Sequence, residues 1–103
     1  MPKPSTSAEG IRKNYPGIWK RFTELADACH KAGPLDEKMR RLVKLALAVA
    51  SGSEGATHSA VRHAKEAGIT MKEMEHVVML GITTLGFPAA GRAFAWIHDA
   101  PKS

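Results

Sequence analysis

Apolar residues recur along this chain at helical spacing, and nowhere in the two-residue alternation of a half-buried strand. Ile11, Tyr15, Ile18, Trp19, Phe22, Leu25 and Ala26 mark the first such stretch. Pro16 stands where a first-turn proline is tolerated and Gly33-Pro34 ends the pattern, which predicts a helix from about Pro16 to Lys31. Cys29 falls one turn beyond Leu25 on the apolar side and reads as a small core-filling residue. Asp36 reads as an N-cap with Glu37 in the first turn, opening a helix that runs to Ala50. Past Lys44 this helix is apolar all round, so burial on every side is expected, inside the domain or against another subunit. Ser51-Gly52-Ser53-Glu54-Gly55 breaks the pattern, and a further helix runs from about Glu54 to Glu66, which Ala67-Gly68 closes. Thr70 and Glu73 have the spacing of a capping box at the head of a helix reaching Leu85. Gly86-Phe87-Pro88 then breaks the chain and opens a last helix from about Ala89 to His98. Met1 to Glu9, rich in Pro, Ser and Lys, reads as a disordered tail.

The expectation is therefore an all-α fold of five to six helices, with residues 10–100 as a single domain. A hydrophobic fraction of 44% with only 6% aromatics means that small and aliphatic side chains fill the core, as suits closely approaching helices. Two helices that are nearly apolar around their second halves, after Lys44 and around Met79 to Leu85, predict a closed homo-oligomer.

Fifteen Lys and Arg against ten Asp and Glu leave a net charge of +5. The densest basic run, Lys38, Arg40, Arg41 and Lys44, spreads around a helix with no aromatic residues interleaved for base stacking, so nucleic acid is not the expected partner. No apolar run approaches the ~20 residues of a membrane span, and the N-terminus lacks a signal-peptide core, so a cytoplasmic protein is expected. A single cysteine, Cys29, excludes an internal disulfide and a CxxC redox pair alike.

The densest reactive group is Glu54 to Ser59, followed by Arg62 and His63. On a helix Glu54 and His58 share one face and Arg62 continues the row. A carboxylate beside an imidazole can orient it as a general base, and a nearby arginine can hold an anionic group. The same spacing is also that of a plain helix-supporting pair, worth a few tenths of a kcal/mol. His58 and His63 are five apart and point to different faces, so no metal site is expected, and nothing in the sequence calls for a cofactor. Ser53, Ser59, His58 and Glu54 lack the strand–turn–helix elbow of a hydrolytic serine.

Leu35-Asp36-Glu37-Lys38, the run Leu42 to Ala50, Glu54-Gly55, Arg62, Ala67-Gly68-Ile69-Thr70, Glu73 and Gly86 to Ala90, in this order, resemble the carboxymuconolactone decarboxylase / alkylhydroperoxidase D-like family. The resemblance implies an all-α fold around a central helical hairpin and homo-oligomers, trimers or hexamers. In the redox, peroxiredoxin-like branch it implies a CxxC pair that relays electrons to peroxide, a histidine one turn later and a glutamate on the preceding helix. Those four positions fall here on Ser53, Ala56, Ala60 and Arg41. A serine cannot cycle between thiol and disulfide, so thiol peroxidase chemistry is physically excluded for this chain alone. The decarboxylase branch needs no cysteine, but its histidine also falls on Ala60, two residues or ~200° around the helix from His58. Glu54-Gly-Ala-Thr-His58-Ser59 is similar to the stretch of a cysteine-free subgroup.

Together these readings make the chain a candidate acid–base enzyme of lyase type acting on a small anionic molecule. Glu54 and His58 would be catalytic, with Arg62, Arg41 and Ser53 binding substrate. The alternative is an oligomeric binding or scaffold protein that kept the fold and lost the chemistry.

Overall fold

The computed structural model describes residues 6–100, and these form six helices with no strand among them. The chain divides into two compact units, residues 1–35 and 36–103.

The first unit holds α1 (Thr6–Asn14) and α2 (Pro16–His30), joined end to end through Tyr15. Tyr15 separates them at φ −135° and ψ 63°, and Pro16, which has no amide hydrogen to leave unsatisfied, starts α2. The tail predicted over residues 1–9 is helical from Thr6, and its first five residues lie outside the described range. Glu9 in the first turn of α1 holds Arg12 one turn later, with nitrogen and oxygen 2.6 Å apart, giving this short segment local support. The bounds of α2 agree with the sequence reading, but its apolar stripe buries nothing: no residue of α2 is buried. Cys29 is exposed, which corrects its reading as a core residue.

The second unit contains α3 (Glu37–Ser51), α4 (Glu54–Glu66), α5 (Met71–Leu85) and α6 (Phe87–Asp99). Each helix packs on two others: α3 on α4 and α5, and α6 on α4 and α5. This closed ring surrounds one core of Leu45, Val49, Val61, Ala64, Ile69, Met74, Val78, Ala90, Ala93 and Ile97. Leu45, Val61, Met74, Val78 and Ile97 have no exposed surface, and burying each such side chain contributes about 1.5–3 kcal/mol. Ala64, Ala90 and Ala93 supply the low-volume contacts that let the helices approach.

The caps follow the sequence. Asp36 Oδ1 accepts from the Met39 amide at 2.9 Å, and Thr70 with Glu73 forms the full capping box. Glu73 also receives the Lys38 ammonium at 2.6 Å, which ties the head of α3 to the head of α5. The all-round apolar part of α3 is buried on one side only, through Leu45, Ala48 and Val49, while Ala46, Leu47 and Ala50 remain exposed. Among the described residues no helix is long and apolar enough to cross a membrane.

Gly86 alone connects α5 to α6, at φ 96° and ψ 152°, a region open essentially to glycine. A Cβ there would meet only Pro88 Cδ at 3.9 Å, so the penalty of a side chain is conformational and not a clash. Gly86→Ala should therefore lower stability by about 1–3 kcal/mol, read as a lower urea midpoint with unchanged helix content.

The hydrogen bond from Lys38, followed by that from the Thr70 backbone, holds the Glu73 carboxyl below its ordinary value of 4.5. A group depressed on folding stabilises the fold above its unfolded pKa, and that contribution disappears as pH falls through the folded value. Lys38→Met should accordingly flatten the acid limb of the stability–pH curve below about pH 4.5, while leaving neutral-pH helix content intact.

Candidate functional site

Five residues carry the sequence-derived site: Glu54, His58, Arg62, Arg41 and Ser53. Four of them belong to α4 or its cap, and the turn into α4 explains their placement. Gly52 ends α3 in the left-handed region, at φ 72°, and Ser53 follows in extended geometry as the N-cap of α4. The Ser53 hydroxyl oxygen accepts from the Ala56 amide at 3.1 Å. The Ser53 carbonyl accepts from both the Thr57 amide, at 3.0 Å, and the Thr57 hydroxyl, at 2.8 Å. Thr57 is fully buried, so its hydroxyl needs that acceptor. Ser51 supports the turn from the other side: its hydroxyl donates to the Ala48 carbonyl at 2.7 Å and accepts from the Ser53 amide at 3.3 Å.

Held this way, the first two turns of α4 present Glu54 and His58 on one face. His58 Nε2 lies 3.7 Å from Glu54 Oε2, close enough for electrostatic attraction but too far for a hydrogen bond. The two environments differ sharply: 59% of the Glu54 side chain is exposed, against 16% of His58. His58 Nε2 itself is buried and has no hydrogen-bond partner among the described residues. A buried polar atom left unpaired costs about 1–3 kcal/mol, so Nε2 calls for a partner such as an ordered water, a ligand or a second chain. A separation of 3.7 Å fits a helix-supporting i,i+4 pair as well as an acid–base pair.

Arg62, half-buried one turn after His58, makes no ion pair or hydrogen bond among the described residues. Its guanidinium is available to an anion. Arg41 differs. It sits on α3 with Nε donating to Glu37 Oε1 at 2.8 Å, while Arg40 holds the other oxygen of the same carboxylate at 2.9 Å. The tight turn makes α3 and α4 an antiparallel hairpin, and a rise of ~1.5 Å per residue sets Arg41 about 15 Å from the turn, level with Arg62 and not with His58. The structure thus brings together Ser53, Glu54, His58 and, one turn on, Arg62, whereas Arg41 lies on α3 paired with Glu37.

The positions assigned by resemblance to the dithiol are the N-cap and third residue of α4. Ser53 and Ala56 join those positions by the capping hydrogen bond in place of a sulfur–sulfur bond. Among the described residues no group of three or more His, Cys, Asp and Glu is placed to hold a metal ion.

A second acid–histidine pair escapes a search by helical spacing, because its members are 23 residues apart. His98 Nε2 lies 2.9 Å from Glu75 Oε2, joining α6 to α5, and its ring packs on Phe94 with centroids 4.8 Å apart. The one sequence signal is a histidine in the last turn of α6, where the helix dipole favours a cation.

Comparison with known proteins gives this site a context. The profile of the carboxymuconolactone decarboxylase family matches residues 16–99, from the start of α2 to the end of α6. The match extends further toward the N-terminus than the resemblance read from Leu35 onward. An uncharacterised protein of Methanocaldococcus jannaschii, MJ1511, is 31% identical over 85 residues, covering 82% of this chain and 79% of its own length. A second uncharacterised protein of the same organism, MJ0742, is 27% identical over 84 residues, covering 81% of each.

Ser53→Ala should lower stability by about 1 kcal/mol through loss of the cap. It should also speed amide hydrogen exchange at Ala56, leaving the core amides of α5 and α6 unaffected.

Proposed function

The chain belongs to the carboxymuconolactone decarboxylase family, and within it we propose an acid–base enzyme for small anionic molecules that works without thiols. The observation that carries this reading is the buried, unpartnered Nε2 of His58 with the Glu54 carboxylate 3.7 Å away. Neutral imidazole accepts a proton from a substrate C–H or from water, and the exposed Glu54 side chain closes on the imidazolium that results. In a decarboxylation, the bond to the departing carbon dioxide breaks. Its electron pair stays on the substrate carbon, and the imidazolium returns a proton there. Arg62 holds an anionic group, bidentately where that group is a carboxylate, and the Ser53 hydroxyl hydrogen is free to donate to a substrate oxygen. The assembly we propose is a homo-oligomer in which Val43 and Leu47 of α3 and Met79 and Leu80 of α5, all exposed in the single chain, are covered.

A second reading, a binding or scaffold protein, draws on two observations. The family's relay positions hold Ser53, Ala56, Ala60 and Arg41, and Arg41 is locked to Glu37. Turnover of a panel of small lactones and carboxylates decides between the two. The enzyme reading expects His58→Gln to lower kcat by about 10²-fold or more with unchanged circular dichroism, and Arg62→Met to raise KM for anionic but not neutral substrates. Full activity in His58→Gln would overturn the catalytic assignment, and no turnover of any panel member by the wild type would leave the scaffold reading.

A further inference from the structure

Each helix of the four-helix ring shows one flank to each of its two neighbours, and helical phase decides which residues form that flank. On α6 the core positions are Ala90, Ala93 and Ile97. Phe94 and His98, each one residue after a core position, lie toward α5, because His98 reaches Glu75 and Phe94 packs on the His98 ring. At about 100° per residue, the residues one before the core positions, Ala89, Arg92 and Trp96, form the opposite flank. That flank faces α4, the other helix on which α6 packs, and Ala89 and Trp96 are half-buried there. The same phase fixes α4. The tight turns at Gly52-Ser53 and at Gly86 make two antiparallel hairpins, and the Lys38–Glu73 pair joins the heads of α3 and α5. Helices α4 and α6 therefore run parallel and start at the same end of the ring. Parallel members of a closed ring turn flanks of the same hand to the next helix. Toward α6, then, α4 turns the residues that follow its core positions Thr57, Val61 and Ala64, namely His58, Arg62 and Lys65. Counted from the two turns at ~1.5 Å per residue, Arg92 stands level with His58 and Trp96 with Arg62.

Two arginines thus border one groove from opposite helices, and neither has a carboxylate. Arg62 is half-buried and Arg92 exposed, and neither makes an ion pair or hydrogen bond among the described residues. The other two arginines of this unit, Arg40 and Arg41, share Glu37. Arg92 is nonetheless held in place, with its guanidinium carbon 5.7 Å from the centre of the Trp96 ring. A guanidinium resting on an aromatic face keeps its N–H donors for another partner. The buried, unpartnered Nε2 of His58 belongs to the same flank of α4 as Arg62. We propose that Arg62 and Arg92 form a clamp across the α4–α6 groove for one anionic group of a small molecule, a carboxylate or a phosphate. A carboxylate alone offers about four lone-pair sites, enough for donors from both sides. Trp96 is the rest that positions Arg92, and Arg92 decides, together with Arg62, which ligands are held beside His58. The clamp rests on the reading of Arg62 as the residue that holds the anion, but it requires no proton transfer by His58.

Inorganic phosphate titrated into the full chain at constant ionic strength tests the clamp. Binding is read by NMR on the Trp96 indole N–H, assigned by its loss in Trp96→Phe, and on the His58 amide. Both signals should move and saturate together. Arg62→Met and Arg92→Met should each raise the dissociation constant by about tenfold or more, with circular dichroism unchanged. Lys44→Met, which removes an exposed cation of α3, should leave it as it is. Wild-type affinity in either arginine variant would overturn the clamp, because the remaining arginine would then act alone. A wild-type response that never saturates would overturn it as well. Saturable phosphate binding lost in both variants, in a protein that turns over no lactone or carboxylate, would support the clamp and count against the catalytic reading only.

Discussion

Between α3 and α4 the backbone reverses in two residues, and the second unit is built on what that turn demands. Gly52 takes the left-handed conformation that ends α3, and Ser53 satisfies the first amides of α4. Thr57 is fully buried, and its hydroxyl is satisfied there by a bond back to the Ser53 carbonyl. With Thr57 inside, the helix has no rotational freedom left: Val61 and Ala64, four and seven residues on, must enter the core, and His58 must stand at its margin. The seating of α4 thus places a buried imidazole nitrogen beside an exposed carboxylate. The same cap occupies the two positions to which the resemblance assigns the cysteine pair of the redox branch.

Much of this was legible in the sequence because it is local. The bounds of α4, the Asp36 cap, the Thr70–Glu73 box and the glycine breaks depend on residues within four positions of each other, and each has a stereochemical reason to be where it is. The Glu54–His58 pair was legible for the same reason, and so was the loss of the dithiol, which needs only a count of cysteines. What the sequence concealed is non-local. The pairing of Arg41 with Glu37 could not be separated from the other charges crowded on α3. The Glu75–His98 contact joins residues on different helices. The exposure of Cys29 depends on which faces find partners, and periodicity marks an apolar face without saying what covers it. Composition misled at the N-terminus, where Pro, Ser and Lys suggested disorder and Thr6–Asn14 is helical, with Glu9 and Arg12 bonded one turn apart.

The electrostatic links are economical. Lys38 joins α3 to α5 through a carboxylate that already caps α5, so one side chain serves both a helix end and a helix–helix contact. Exposed ion pairs taken singly contribute little. This one gains from geometry, since the capping box has already fixed the rotamer of Glu73 and less entropy is lost when the ammonium binds.

The α5–α6 pair is closed at both ends, by the single residue Gly86 at one and by the Glu75–His98 contact at the other. A hairpin with one free end can fray turn by turn from that end, each step exposing a few amides. The exposed Glu75–His98 contact opposes that fraying only by what an exposed pair contributes, so the covalent turn at Gly86 is the firmer of the two ends.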